Sequence, residues 1–209
     1  MNISVIGAAG GAGRRIVAQA VQAGHTVRAL VRTPEQEDMV SLHGAQPVKG
    51  DLTGEWQAVL EGADAVVWAA GAGASGNFQG IDGDALIRVV DTLLSHGPRR
   101  LVVVSSMGVD RSEQMPPFLS AVLRVKAQSD AHVQGSALDW TVVRPAGLND
   151  EPGTGLVRAA ATVDRGSISR DDVAAVVLAC LDDPATVGQT FEVVQGSQAV
   201  SDALAGLSR

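Results

Sequence analysis

The chain contains no tyrosine and a single cysteine, Cys180, in 209 residues. One cysteine precludes an intrachain disulfide and suits a reducing compartment. Its neighbours Val176, Val177, Leu178 and Leu181 mark it as apolar filling, not a reactive thiol. No apolar run approaches the length of a membrane span. A strand-like run follows Met1 almost at once, so no signal peptide is expected, and the chain reads as cytoplasmic. Lysine is scarce, and no basic cluster offsets the net charge of −7. Nucleic acid is therefore not an expected partner. No His/Cys/Asp spacing suggests a metal site.

Apolar residues make up 45% of the chain and charged residues 19%, values of a globular protein that buries a substantial core. Glycine is abundant, and its placement is informative. Asn2–Ile6 is a short apolar run, and Gly7, Gly10 and Gly13 follow at three-residue spacing within Gly7-Ala8-Ala9-Gly10-Gly11-Ala12-Gly13. Arg14–Ala23 has helical periodicity and stops at Gly24, and Thr26–Val31 is a second β-branched run. This is a βαβ unit of the length a dinucleotide-binding unit needs. One glycine permits the tight turn, one lets the backbone approach a pyrophosphate, and one lets helix and strand pack closely. Gly7, Ala9, Gly10, Gly11, Ala12 and Gly13 are accordingly the expected phosphate cradle, at the positive end of a helix dipole.

Arg32 ends the second strand where an acid would bind a ribose 2′-hydroxyl and an arginine accommodates a 2′-phosphate. The expected cofactor is therefore NADP, with NAD as the alternative, and Arg14 is a candidate second cation. Thr33-Pro34-Glu35-Gln36 starts a helix with a capping box. Gln46–Lys49 is a third strand, and Asp51 and Leu52 after it suit an adenine amino group and ring face; the alternative for Asp51 is a turn or cap residue. A short helix is expected around Trp56–Leu60. The fourth strand ends in Ala69, Ala70 and Gly71, small enough for a ribose and pyrophosphate to cross. Residues 72–80 read as a flap over the site or as plain linker. Further helices are expected at Asp82–His96, Phe118–Gln134 and from Ser169 to about Asp182, with a last short one at Val200–Leu207. Strands are expected at Leu101–Val104, Trp140–Val143 and Thr190–Val194, and Asn149–Gly155 as loop. Alternating strands and helices imply an α/β fold, a single Rossmann-like doubly wound parallel sheet with helices on both faces.

These stretches, with Val104-Ser105-Ser106-Met107-Gly108, Thr141–Leu148 and Ile168–Ala174, resemble the atypical short-chain dehydrogenases/reductases with an NAD(P)H-binding domain. The resemblance spans nearly the whole chain and is nearest to the short branch that includes biliverdin/flavin reductase B and bacterial NAD-dependent epimerase/dehydratase proteins. It implies a sheet order 3-2-1-4-5-6 plus a seventh strand. It also implies one domain over residues 1–209, with a small substrate-side region at about 146–209. Ser105, Lys126, Pro145, Ala146 and Gly147 would join the cofactor site. Active members use a serine, a tyrosine and a lysine, the tyrosine four residues before the lysine. Lys126 matches the lysine and Ser106 the serine, Ser105 being the other candidate, but Val122 stands where the tyrosine would be. Lys126 otherwise reads as a solvated helix lysine, and His132 as a surface histidine.

A positioned general acid contributes about 10²–10⁴-fold. Its absence penalises ketone reduction more than reduction of an acceptor that holds negative charge itself. The resemblance thus implies an NADPH-dependent reductase of a conjugated acceptor such as a flavin or quinone, with Ser106 and Lys126 catalytic. A regulatory NADP(H) sensor of NmrA-like type is the alternative, and an epimerase/dehydratase a third reading. The partner would be a small molecule, and the chain a monomer or homodimer.

Overall fold

The computed structural model describes residues 1–207, apart from the side chain of Ala74. In chain order its regular elements begin with β1 (Asn2–Ile6), α1 (Gly11–Gln22), β2 (Thr26–Val31), α2 (Pro34–Leu42), β3 (Gln46–Lys49) and β4 (Ala65–Trp68). There follow α3 (Leu86–His96), β5 (Arg100–Val104), α4 (Pro117–Gln134), β6 (Asp139–Pro145), β7 (Gly147–Asn149) and β8 (Leu156–Ala160). The chain closes with β9 (Ser167–Ser169), α5 (Arg170–Asp182), β10 (Gln189–Gln195), β11 (Gln198–Ala199) and α6 (Val200–Ala205).

The main sheet runs β11-β8-β10-β6-β5-β4-β1-β2-β3. From β10 to β3 every pairing is parallel, in the order the family resemblance implies with β10 as the seventh strand. Two features depart from the expected single parallel sheet: β7 and β9 pair parallel in a small sheet of their own, and two strands lie beyond β10. β8 pairs antiparallel with β10, and β11 pairs antiparallel with β8. Their short runs carry no β-branched signal strong enough to mark strands; β8 forms because the edge of β10 is there to receive its backbone.

Side chains of a strand alternate between faces, and here each face has its own core. Ile3, Val5, Ala65, Val67 and Val102 pack with Ile16, Val17 and Ala20 of α1 and with Val173, Val176, Val177 and Cys180 of α5. Ile6, Val66, Trp68, Leu101 and Val103 pack with Leu86, Val89, Val90 and Leu93 of α3 and Val133 of α4. Both faces are covered, as strands hydrophobic on both sides require.

Local signals explain most helix ends. Thr33 accepts the Gln36 N–H on its hydroxyl, although the Gln36 amide oxygen reaches back to the Arg32 N–H at 2.8 Å instead of to Thr33. Ser169 caps α5 by accepting the Asp172 N–H at 2.9 Å. α1 begins at Gly11, inside the glycine run and earlier than its apolar periodicity indicates. The expected helix near Trp56 is a 3₁₀ turn at Gln57–Leu60. Residues 72–80 are not featureless: Gly73–Ser75 forms a 3₁₀ turn, and Gln79–Ala85 forms a wide π-type turn that runs into α3.

Cys180 is fully buried. Desolvation pushes its thiol up to about 12, against the opposing pull of the Arg100 guanidinium. The thiolate is the nucleophile, so iodoacetamide at about pH 8 should label the native protein no faster than it unfolds, and should label it fully in denaturant. Rapid labelling of native protein would place the thiol at the surface.

Candidate cofactor cleft and its surroundings

The strand order reverses between β1 and β4, because the chain leaves β1 towards β2 on one side and returns to β4 on the other. Ligands of open α/β sheets sit at such a switch, beyond the carboxyl ends of the strands. A cleft of about 400 Å³ opens there. Gly7 follows β1 with φ +91°, and a Cβ on it would lie 2.3 Å from the Ala70 nitrogen. Gly13 is tied to the same turn: a Cβ there would lie 2.0 Å from the Gly7 carbonyl oxygen. Two glycines thus let β1, β4 and α1 meet backbone to backbone. Gly10, the residue before α1, has no side chain to cap the helix, so no side-chain acceptor competes for the first-turn N–H groups.

Of the residues expected from sequence, Gly7, Ala9, Gly10, Arg32, Asp51, Leu52, Ala69, Ala70 and Gly71 line this cleft. Leu30, Gln36, Gly50, Ala72, Ser75 and Ile81 line it too. Gln36 was legible only as a cap, and Ala72, Ser75 and Ile81 lie in a segment that reads as flap or linker. Arg32 is exposed at the cleft and makes no ion pair among the described residues; the same holds for Arg14 outside it. Asp51 does serve as a turn residue, its Oδ1 accepting the Thr53 N–H at 2.7 Å and hydroxyl at 2.6 Å. Those bonds, the hydroxyl first, hold its carboxyl below the usual range. Gly11, Ala12, Gly13, Arg14, Ser105, Ser106, Lys126, Pro145, Ala146 and Gly147 are outside the lining of this cleft.

Those further along the chain gather at the neighbouring strand ends. The Met107 N–H donates to the Pro145 carbonyl and the Ala146 N–H to the Val193 carbonyl, placing residues 105–107 beside 143–147. Ser105 Oγ donates to Asp130 Oδ2 at 2.9 Å. Asp130, 1% exposed, also takes the Arg144 Nε and Nη2 at 3.0 Å, and Arg144 pairs with Asp110 as well. Burial pushes the Asp130 carboxyl up, with the Arg144 charge opposing. Ser106 Oγ has only a 3.3 Å contact with the Met107 carbonyl. The Ser105 hydroxyl is therefore committed and the Ser106 hydroxyl is nearly free.

Lys126 is not a solvated helix lysine. Its Nζ lies 2.6 Å from Asp82 Oδ1, and Asp82, 3% exposed, accepts the Ala72 N–H at 2.9 Å. The pair fastens the segment after β4 to α4. Val122 leaves no phenol on the preceding turn. Glu192, another buried carboxylate, accepts the Gly108 and Val163 N–H groups at 3.0 Å and pairs with Arg111 at 2.8 Å, joining three loops. No local spacing marks Asp82, Asp130 or Glu192; a lone acid within an apolar stretch, as at Glu192 in Phe191-Glu192-Val193, is the one signal available. His132 is partly exposed and meets Asp91 at 2.8 Å, as a surface histidine would. The described residues contain no cluster fit for a metal ion, and no helix among them is long and apolar enough to cross a membrane.

A family model for NAD(P)H-binding proteins matches residues 7–184. The chain belongs to this NAD(P)H-binding family. It is 34% identical over 211 residues to the uncharacterized sugar epimerase YhfK of Bacillus subtilis, covering 98% of this chain and 99% of that one. A solved structure described as an NAD-dependent epimerase/dehydratase, from Bacillus halodurans, superposes with a TM-score of 0.94 at 31% identity, covering 99% of this chain and all (100%) of that one. The anaerobilin reductase ChuY of Escherichia coli O157:H7 shares the fold, with a TM-score of 0.79 at 24% identity over 93% of this chain and 97% of its own. The Rossmann-like fold and the NAD(P)H-binding family assignment thus stand together.

The cleft suits such a cofactor on its own geometry: a glycine turn leading into an uncapped helix, small residues across a strand end, and an exposed arginine, Arg32, in its lining. Gly13→Ala should drive a methyl into the Gly7 carbonyl and cost about 1–3 kcal/mol of stability. Denaturant unfolding with and without NADPH should show both that loss and weaker binding. Unchanged stability would mean that the close contact is not present.

Proposed function

We propose that this chain binds NADP(H) and transfers hydride to a conjugated acceptor such as a flavin or quinone. The observation that carries the reading is the combination of a complete cleft with the absence of any phenol, Lys126 being held by Asp82. Bound NADPH would supply the hydride. Arg32 would face the 2′-phosphate, and the cradle residues 7–13 the diphosphate. Ser106, whose hydroxyl is nearly free, would hydrogen-bond the anion that forms on the acceptor. An acceptor that spreads this charge over its own π-system needs no strong proton donor, whereas a ketone does. Orientation by the cleft and by loops 105–115 would supply most of the remaining rate. The commitment of Lys126 and Ser105 to buried acids favours one other reading, an NADP(H)-sensing protein without turnover. An epimerase would also miss the phenol.

Two measurements decide. Arg32→Gln should weaken NADPH binding about tenfold or more and leave NADH nearly unchanged; equal losses would remove the 2′-phosphate assignment. NADPH turnover should appear with flavins and quinones and not with simple ketones. Ketone turnover alone would refute the acceptor class, and tight NADPH binding with no turnover across the panel would establish the sensor.

A further inference from the structure

Arg170 opens α5 at the place where that helix faces the start of α1. Its position is fixed locally, because Ser169, 4% exposed, caps the helix beside it. Its side chain lies directly against Gly11: a Cβ on that glycine would be 2.7 Å from Arg170 Nε and 3.0 Å from its Cδ. Gly11 is the first residue of α1, immediately after the uncapped Gly10. A guanidinium therefore rests on the turn whose N–H groups are the expected seat of an anion. The glycine run makes room for it, since a side chain at position 11 would displace it.

We infer that Arg170 is a ligand for the diphosphate of the bound dinucleotide and that Asp150 holds it in readiness. The inference rests on the cofactor reading above. In the present arrangement Arg170 Nη1 meets Asp150 Oδ2 at 2.9 Å, and Asp150 Oδ1 meets Arg15 Nη2 at 3.1 Å. Asp150 is 63% exposed in its side chain, so its hold on Arg170 is weak, as for most solvent-facing ion pairs. A diphosphate on the first turn of α1 offers the same guanidinium a stronger, multidentate acceptor. The exchange leaves no acid stranded, because Asp150 retains Arg15. Arg15 in turn is anchored by Asp171 at 3.4 Å and by the Gly11 carbonyl at 3.3 Å, and stays where it is. The two arginines thus have different tasks: Arg15 braces the loop, and Arg170 is the one free to change partner.

Titration calorimetry with NADPH, NADH and adenosine 2′-monophosphate tests this on the full chain. Both dinucleotides carry the diphosphate; the monophosphate lacks it and uses the Arg32 end. Arg170→Gln should weaken NADPH and NADH by the same factor, about tenfold, and leave adenosine 2′-monophosphate unchanged. Arg170→Lys should recover part of the loss. Asp150→Asn should tighten NADPH about threefold beside Arg170 but not beside Gln at 170, since Asp150 acts through that arginine. Equal dinucleotide affinity in the wild type and Arg170→Gln overturns the assignment and leaves the cofactor reading intact. Parallel loss of the monophosphate would make Arg170 a merely structural residue. A wild type that binds neither dinucleotide overturns the cofactor reading itself.

Discussion

The backbone contact between Gly7 and the Ala69–Ala70 peptide governs the arrangement of the rest. With no Cβ at Gly7, the turn after β1 lies against the end of β4, and with none at Gly13, α1 closes onto that turn. This brings an uncapped helix start to the crevice where the sheet order reverses. The α1 and α5 starts then meet side by side, which is why an arginine from residue 170 can lie on a glycine at residue 11. A side chain at residue 7 or 13 would push these elements apart.

Beyond the cleft, buried acids hold the loops together. Asp82 takes Lys126 and an Ala72 N–H, Asp130 takes Ser105 and Arg144, and Glu192 takes Arg111 and two backbone N–H groups. Each carboxylate is almost wholly out of water and would be costly unpaired. Each also joins segments distant in the chain, so the segments after β4 and β5 and the end of β6 form a rim fastened to α4. Among the groups at that rim, the Ser106 hydroxyl is the least engaged. The Lys126 cation and the Ser105 hydroxyl are thus invested in architecture, and the Ser106 hydroxyl is not.

What the sequence alone determined was whatever depends on neighbours in the chain. Three glycines at fixed spacing, the Thr33 and Ser169 caps, and alternating apolar runs set β1 to β6 and α1 to α5, because strand period, helix period and turn chemistry are local; the strand order came from the family resemblance. That Arg32 and Asp51 stand near strand ends was legible for the same reason, each within two residues of one, and both line the cleft. Only tertiary structure could decide the partners of residues far apart in sequence. β8 is a strand because β10 offers it an unpaired edge. Lys126 is an anchor because Asp82 arrives from the wall of the cleft, and Arg170 borders the cradle because α5 packs on α1. Such pairings are selected by burial and by the cost of leaving charge unpaired, and neither is written in the local sequence pattern.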